Sequence, residues 1–127
     1  MPWRFEMVGE VREWLLCLRK EDRCTARLVG QAIQALVEEG PDLGRPLVDR
    51  IKGSSLHNLK ELRPGSSGSS EIRILFIFDP ERSAVLLAVG DKSGEWGDWY
   101  RTSVPVAEER YDKWLAYVAE RKKGAPE

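Results

Sequence analysis

The sequence has 127 residues, about the size of one domain, so residues 1–127 are expected to fold around a single core. Hydrophobic residues make up 42% and charged residues 32%, a balance typical of soluble globular proteins, and the apolar runs fall far short of the roughly 20 residues of a membrane span. One histidine and two cysteines exclude a multi-histidine zinc site and a disulfide framework, and a net charge of −1 argues against a protein that simply coats nucleic acid.

The first third of the chain is expected to form a strand followed by two helices. Trp3, Phe5 and Met7 alternate with charged residues, which predicts a short, half-buried strand. Apolar residues then recur at helical spacing, first within 11–18 and again within 26–37. Asp22 is placed to cap the second helix, and Gly40-Pro41 is placed to end it.

The middle of the chain is expected to contribute most of a small sheet. Residues 43–54 show no clear period and are predicted to be irregular. Three apolar stretches follow at 56–63, 72–78 and 84–89, joined by a serine- and glycine-rich loop and by a tight turn at 79–82. Short connections predict an antiparallel meander, with helices covering one face and a partner protein able to cover the other.

The last quarter is expected to be a polar loop, 90–102, followed by a helix. Ser103 can cap that helix, Pro105 suits its first turn, and 124–126 end it. Its predicted apolar stripe consists of Ala107, Tyr111, Trp114, Leu115 and Val118. The element order is therefore β-α-α-β-β-β-α, an α+β fold with a small antiparallel sheet and helices packed on it.

Cys17 and Cys24 fall on the predicted helical hairpin and are interpreted as small buried hydrophobic residues. The N-terminal segment lacks the basic start, apolar run and small-residue site of a secretory signal. Together with the low cysteine count, this leads us to expect a reducing, cytoplasmic setting.

Basic charge is concentrated in the middle of the chain. Residues 43–73 hold six basic and three acidic side chains, a surplus of three, so the flanking segments hold a net charge of −4. A local basic face on a nearly neutral protein can still bind a phosphate backbone.

Arg73 and Lys92 are the strongest candidates for a charged site. Arg73 lies in an apolar strand, where a buried charge without a partner costs several kcal/mol, so it either pairs with Glu61 or Glu71 or binds a phosphate. Lys92 follows the next strand, and the turn at 79–83 brings it to the same end of the sheet as Arg73.

The aromatic residues of the loop have two interpretations. Trp96, Trp99 and Tyr100 either pack the loop onto the last helix or, for Trp99 and Tyr100, stack on an unpaired RNA base. The glycine- and serine-rich segment 65–68 lacks the lysine and the following helix of a phosphate-binding P-loop.

These residues, taken in order and spacing, resemble the HigB-like, phage-related branch of the RelE/ParE toxin superfamily. The matching motifs are Leu59-Lys-Glu-Leu-Arg63, Glu71-Ile-Arg73, Gly90-Asp-Lys92-Ser-Gly-Glu-Trp96, Trp99-Tyr100 and Pro105-x-Ala107-x-x-x-Tyr111. The resemblance covers about residues 3–118 and implies the RelE-like fold, a small twisted antiparallel sheet with helices packed on it.

The resemblance implies the toxin of a type II toxin–antitoxin pair. RelE-like members are endoribonucleases that cut messenger RNA in the ribosomal A site without a metal or another cofactor. The ribose 2′-hydroxyl attacks the adjacent phosphate, which leaves a 2′,3′-cyclic phosphate and a 5′-hydroxyl, while cationic side chains stabilise the developing charge.

On family grounds, Arg73 corresponds to the arginine that holds the phosphate, Lys92 to a cationic residue after the last strand, and Tyr100 to a tyrosine that orients the RNA. The resemblance also makes Lys60 and Arg63 RNA-binding residues, beside Trp99, which is a candidate through base stacking.

The general base stays open, because this sequence departs from the two alternating lysines of some RelE-like toxins. Alternation from Arg63 puts Glu61 and Leu59 on that face instead. Glu61 is then either a general base or an ion partner of Arg73. His57, the only histidine, is the second candidate for proton transfer, since imidazole exchanges protons readily near neutral pH.

The resemblance implies two macromolecular partners, messenger RNA on the ribosome and a cognate antitoxin. In this branch the antitoxin is often a helix-turn-helix protein, through which the pair binds operator DNA. No membrane partner is expected. Two alternatives stand beside the nuclease: a non-enzymatic, ParE-like toxin that binds DNA gyrase, and an inactive binding protein with the toxin fold.

Overall fold

The structure is a computed structural model that describes residues 3–124, apart from the side chain of Trp96. Its strands are β1 (Arg4–Met7), β2 (Val48–Arg50), β3 (Lys60–Leu62), β4 (Ile72–Phe78) and β5 (Ser83–Asp91). Its helices are α1 (Gly9–Glu21), α2 (Arg23–Glu39) and α3 (Trp96–Gly124), with a 3₁₀ turn at Gly40–Asp42. Within 3–124, no helix is long and apolar enough to cross a bilayer.

The strands form one sheet in the order β1-β5-β4-β3-β2. The four strands from β2 to β5 pair antiparallel, which confirms the meander and the α+β class. Two details of the prediction were wrong. β2 lies in the segment predicted to be irregular, and β1 pairs parallel with β5. Parallel pairing is possible there because a long connection, which includes α1 and α2, separates the two strands.

Helices cover both faces of the sheet. Leu62, Ile74 and Phe76 belong to the core beneath α1 and α2. Leu75 and Leu87 belong to a second core beneath α3. The expectation that a partner protein could cover one face is therefore wrong for this region, because α3 already buries the apolar residues that alternate onto it.

The helical hairpin follows the sequence closely. The Asp22 carboxylate accepts hydrogen bonds from the Thr25 N–H (3.1 Å) and hydroxyl (2.6 Å), which lower the pKa of Asp22 and cap α2. α2 ends at Glu39 with Gly40 as its C-cap, as predicted. Cys17 and Cys24, however, are exposed, because they lie on the sides of α1 and α2 that face away from the core.

The start of the last helix was predicted too late. α3 begins at Trp96, so Ser103 is not its cap and Pro105 lies inside it. Burial of Trp99 against the sheet explains the early start, because this contact favours a helical turn that the polar composition does not. Leu115 is exposed, so it does not belong to the buried apolar stripe that was predicted. The predicted end reaches Ala125 and Pro126, which lie outside the described residues.

Candidate active site

A set of charged side chains lies on the α3 side of the sheet, where β3, β4 and β5 meet. Cross-strand pairing places Glu61 opposite Leu75 and Asp49, and Arg73 opposite Gly90. The predicted placement of Arg73 and Lys92 at the same end of the sheet is confirmed, since Arg73 pairs with Gly90, two residues before Lys92. We refer to these side chains as the charged cluster, which consists of Asp49, Glu61, Arg63, Glu71, Arg73, Lys92 and Tyr100.

Glu61 lies at the centre of the charged cluster, and its side chain is only 2% exposed. Arg63 Nε donates a hydrogen bond of 2.5 Å to Glu61 Oε1. Arg63 Nη2 donates to Asp49 Oδ2 at 3.0 Å, which ties β2 to β3. The hydrogen bond to Glu61 raises the pKa of Arg63. A buried carboxylate is tolerated here because the guanidinium compensates its charge.

Arg73 is held between two carboxylates and a carbonyl. Its Nη1 donates to the Ile72 carbonyl at 2.8 Å, while Nη2 lies 3.8 Å from Glu71 Oε2 and Nε lies 3.8 Å from Glu61 Oε1. The side chain is 14% exposed, and the buried Nε has no hydrogen-bond partner within the described residues. The guanidinium is thus fixed in place by its partners and keeps a donor that they do not satisfy.

Lys92 and Tyr100 form the second half of the charged cluster. Lys92 Nζ donates to the Tyr100 hydroxyl at 3.2 Å. Burial lowers the pKa of Lys92, and the nearby positive charge of Arg73 lowers it further. Burial also raises the pKa of Tyr100 to about 12, with hydrogen bonding to Glu61 as the next cause. Tyr100 therefore keeps its proton at neutral pH and can donate it to a hydrogen bond.

Trp99 positions the start of α3 and does not offer its ring to solvent. Its side chain is buried, and its indole nitrogen lies so close to Gly90 that any Cβ at residue 90 would collide with it. Trp99 also makes an edge contact with Tyr100, with ring centroids 5.1 Å apart. The structure therefore places Trp99 in the packing role that the sequence left open, away from the surface where a base would stack.

Two other predicted site residues lie outside the charged cluster. Lys60 alternates onto the opposite face of the sheet, where its ammonium lies 5.4 Å from the ring centre of Phe78. His57 is exposed in a turn before β3, because β3 is shorter than the predicted strand 56–63. Arg73, Lys92, Tyr100, Glu61 and Arg63 are the predicted residues that the structure brings together.

Sequence reasoning missed Asp49 and Glu108. Asp49 joins the charged cluster through β2, whose three residues are too few to show an alternating pattern. Glu108 of α3 accepts hydrogen bonds from the Ser54 hydroxyl and the Ser55 N–H, each at 2.7 Å. These bonds fasten the loop before β3 to α3, a long-range contact that no local sequence signal identifies.

The charged cluster is electrically balanced, because its three basic side chains face three carboxylates. Arg63, Arg73 and Lys92 can donate hydrogen bonds to an anion. The carboxylates hold these donors in place and also compete with an incoming phosphate for them. A chain with a net charge of −1 therefore brings three basic donors together without a local surplus of positive charge.

The sequence profile of the family described as "Phage derived protein Gp49-like (DUF891)" matches residues 13–112. HigB2 of Mycobacterium tuberculosis (strain ATCC 25618 / H37Rv), named as a candidate toxin, is 50% identical over 115 residues, which are 91% of this chain and 56% of HigB2. This chain therefore spans little more than half the length of that relative. HigB3 of the same organism, also named as a candidate toxin, is 47% identical over 110 residues, which are 87% of this chain and 91% of HigB3.

Among solved structures, the fold is similar to that of the E. coli toxin RelE, in the free state as a double arginine-to-alanine mutant. The TM-score is 0.55 at 14% sequence identity, covering 89% of this chain and 98% of RelE. At that identity the similarity concerns the fold, and it agrees with the predicted RelE-like sheet and helices.

Proposed function

The chain belongs to the Gp49-like, HigB-type family of toxins of the RelE/ParE superfamily, and from that premise we propose that it is a toxin that cleaves messenger RNA on the ribosome. The observation that carries the proposal is the arrangement of Arg73, Lys92 and Tyr100 at the junction of β4, β5 and α3. The reaction proposed is attack of a ribose 2′-hydroxyl on the adjacent phosphate, which breaks the bond from phosphorus to the 5′-oxygen and leaves a 2′,3′-cyclic phosphate. The 2′-hydroxyl loses a proton and the departing 5′-oxygen gains one, so the step needs charge stabilisation at the phosphate and no protein nucleophile.

Arg73 is assigned the role of binding the phosphate. Its side chain is 14% exposed, so the guanidinium can donate to a non-bridging phosphate oxygen, and its hydrogen bond to the Ile72 carbonyl fixes its position before the substrate arrives. Preorganised donors of this kind cost no reorganisation when charge develops in the transition state.

Lys92 and Tyr100 are assigned to bind the same phosphate and the neighbouring ribose. Lys92 supplies a second positive charge from a largely buried position, where the local field is stronger than in water. Tyr100, whose pKa is about 12, supplies a hydroxyl donor throughout the neutral range.

Glu61 is assigned the role of positioning the two arginines. It is almost completely buried and is already bound to Arg63, so its carboxylate orients the two arginines and does not face the substrate. This assignment favours the ion-partner alternative over a general base, and it separates Glu61 from the residues that touch RNA.

The partners follow from the same proposal. An antitoxin, expected to be a helix-turn-helix protein, neutralises the toxin and carries the pair to operator DNA. A ribosomal substrate places the activity in the cytoplasm.

The test uses purified ribosomes programmed with a defined messenger RNA. We expect cleavage with 2′,3′-cyclic phosphate ends for the parent protein, at least a roughly hundredfold slower rate for Arg73→Ala, and an unchanged rate for Arg50→Ala, an exposed arginine of β2. Intact messenger RNA together with inhibited DNA supercoiling by gyrase would instead support the ParE-like alternative.

A further inference from the structure

The three carboxylates of the charged cluster differ in how far they are open to solvent. The side chain of Glu61 is 2% exposed and that of Asp49 is 21% exposed, whereas that of Glu71 is 31% exposed. Arg63 binds both Glu61 and Asp49, at 2.5 and 3.0 Å. Among the ion pairs of residues 3–124, Glu71 takes part in one, with Arg73 Nη2 at 3.8 Å, which is too long for a hydrogen bond. Glu71 is therefore the carboxylate of the charged cluster that a substrate reaches most easily.

Glu71 lies beside the two residues proposed to bind the phosphate. It precedes β4 by one residue, and alternation places it on the same face of the sheet as Arg73. Ile72 pairs with Asp91 in the antiparallel ladder. The pairing continues by one residue, because the Lys92 N–H donates to the Glu71 carbonyl at 2.9 Å. Glu71 is thus the cross-strand neighbour of Lys92, and a phosphate bound by Arg73 and Lys92 lies next to the Glu71 carboxylate.

Asp91 fixes the backbone at this end of the sheet. Its Oδ1 accepts hydrogen bonds from the Glu71 N–H and the Ser93 N–H, each at 2.9 Å, and from the Ser93 hydroxyl at 2.6 Å. Burial raises the pKa of Asp91, but the hydrogen bonds from Ser93 and Glu71 outweigh burial and lower it overall. Asp91 is therefore a weaker base than a free carboxylate, and its hydrogen bonds hold Glu71 opposite Lys92.

Attack by a ribose 2′-hydroxyl requires a proton acceptor beside the phosphate. A general base has to come within hydrogen-bond reach of the proton that it removes. Arginine side chains cannot accept a proton, and Tyr100 keeps its own because its pKa is about 12. His57 is exposed in a turn outside the charged cluster. The accessible carboxylate is the remaining group of the charged cluster with the right chemistry.

We propose that Glu71 is the general base of the cleavage reaction, an assignment that rests on the proposed function. Its carboxylate takes the proton of the 2′-hydroxyl as the 2′-oxygen forms a bond to phosphorus. The bond from phosphorus to the 5′-oxygen breaks, and the 5′-oxygen takes a proton from the Lys92 ammonium. The products are a 2′,3′-cyclic phosphate and a 5′-hydroxyl. Because Glu71 and Lys92 are cross-strand neighbours, the proton on the carboxylate can return to the amine, which restores both charges.

The charged and titratable groups around Glu71 come from three strands and from α3, namely Arg73, Lys92, Asp91, Glu61 and Tyr100. Arginine and lysine keep their charge from acidic to neutral pH, and Tyr100 keeps its proton there. A fall in the cleavage rate at acidic pH therefore reports a carboxylate. Comparing variants at each carboxylate identifies which one is responsible.

The test measures single-turnover cleavage of a defined messenger RNA on purified ribosomes at several pH values. The parent rate is expected to fall at acidic pH, because a protonated carboxylate cannot accept a proton. Glu71→Gln is expected to cleave at least about a hundredfold more slowly, without that acidic fall and with unchanged affinity for ribosomes. Glu71→Asp, which keeps a carboxylate, is expected to recover part of the rate and the acidic fall. Glu13→Gln, an exposed position of α1, is the matched control and should behave like the parent.

A substrate with sulfur in place of the 5′-oxygen separates the proton acceptor from the proton donor. A thiolate leaves more readily than an alkoxide and does not need a proton. This substrate is expected to recover part of the rate of Lys92→Ala and to leave Glu71→Gln as slow as before.

Three results would overturn the assignment. The first is cleavage by Glu71→Gln at the parent rate. The second is slower cleavage that keeps the acidic fall, which would give Glu71 a positioning role alone. The third is recovery of Glu71→Gln on the sulfur substrate, which would make Glu71 the proton donor. In all three the parent still cleaves RNA, so the proposed function stands, whereas a parent chain that cleaves nothing would contradict both proposals. Circular dichroism at each pH ensures that the rates compare folded proteins.

Discussion

The two faces of β3 and β4 differ sharply although they share the same backbone. On the α1–α2 side, Leu62, Ile74 and Phe76 are completely buried among apolar neighbours. On the α3 side, alternation places the charged side chains of Glu61 and Arg73, which are 2% and 14% exposed. In this region the first face is mostly apolar, whereas the second combines an apolar core beneath α3 with charged side chains, among them the partly exposed Arg73.

The difference shows what each face contributes. The apolar face gains its stability from area removed from water, and it needs no specific partner. The charged cluster gains little from burial and depends on each charge keeping its partner. Substitutions on the first face should therefore change stability alone, and substitutions on the second should change activity as well.

The largest effect is expected from Phe76→Ala on the apolar face. The substitution leaves a cavity beneath α1 and α2 and should lower the free energy of unfolding by about 3–5 kcal/mol. Urea titration measures this, with Leu115→Ala, a 45% exposed position, as a control expected to change stability by less than about 0.5 kcal/mol. Similar losses for the two variants would show that this face does not hold the core.

The next effect is expected from Glu61→Gln, which keeps the shape of the side chain and removes its charge. Arg63 and Arg73 would then lack their shared carboxylate, and the free energy of unfolding should fall by about 3 kcal/mol. Ribosomal cleavage assayed below the unfolding transition should show a lower kcat, because Arg73 loses its orientation.

Glu95→Gln, at an exposed position, serves as the matched control for Glu61→Gln. If Glu61→Gln kept full stability and full cleavage, the Glu61 carboxylate would not orient Arg63 and Arg73.

A smaller effect is expected from Gly90→Ala, which tests how Trp99 places α3. The added Cβ would collide with the indole and should cost about 1–3 kcal/mol of stability. Trp99→Leu in the same chain should recover part of that cost, a coupling that a double-mutant cycle by urea titration measures. Strict additivity of the two substitutions would contradict the contact.

The smallest change is a shift in the pH dependence of cleavage. Because the pKa of Lys92 is lowered from 10.5, the lysine loses its charge at a lower pH than a free lysine, and activity should fall on the alkaline side before pH 10.5. Lys92→Arg keeps the charge and should move this fall to higher pH. Identical alkaline limbs for both proteins would show that the charge of Lys92 is not used.

Sequence patterns predicted the parts of the fold that depend on local chemistry. The alternation of Trp3 to Met7, the Asp22 cap and the short turn after Phe78 each correspond to an element or a pairing in the structure. The approach of Arg73 and Lys92 followed from the length of that turn alone. Such features are fixed by residues close together in the chain.

The rest depends on contacts between distant residues. β2 is only three residues long, so no pattern distinguished it from a loop, and with it Asp49 was missed. The start of α3 depends on Trp99 packing over Gly90, which overrides a polar, glycine-containing segment. The placement of Lys60 on the opposite face follows from alternation along β3, which the RNA-binding role implied by the resemblance did not take into account.

Arg73, within the charged cluster, is the residue that we propose to serve catalysis on RNA. The most direct measurement maps RNA 5′ ends in cells after a short pulse of expression of the parent, Arg73→Ala or Arg50→Ala chain. We predict new ends within translated messenger RNA for the parent and for Arg50→Ala, and none for Arg73→Ala at equal protein level. The same pattern of ends from Arg73→Ala, or no new ends from the parent chain, would contradict the account.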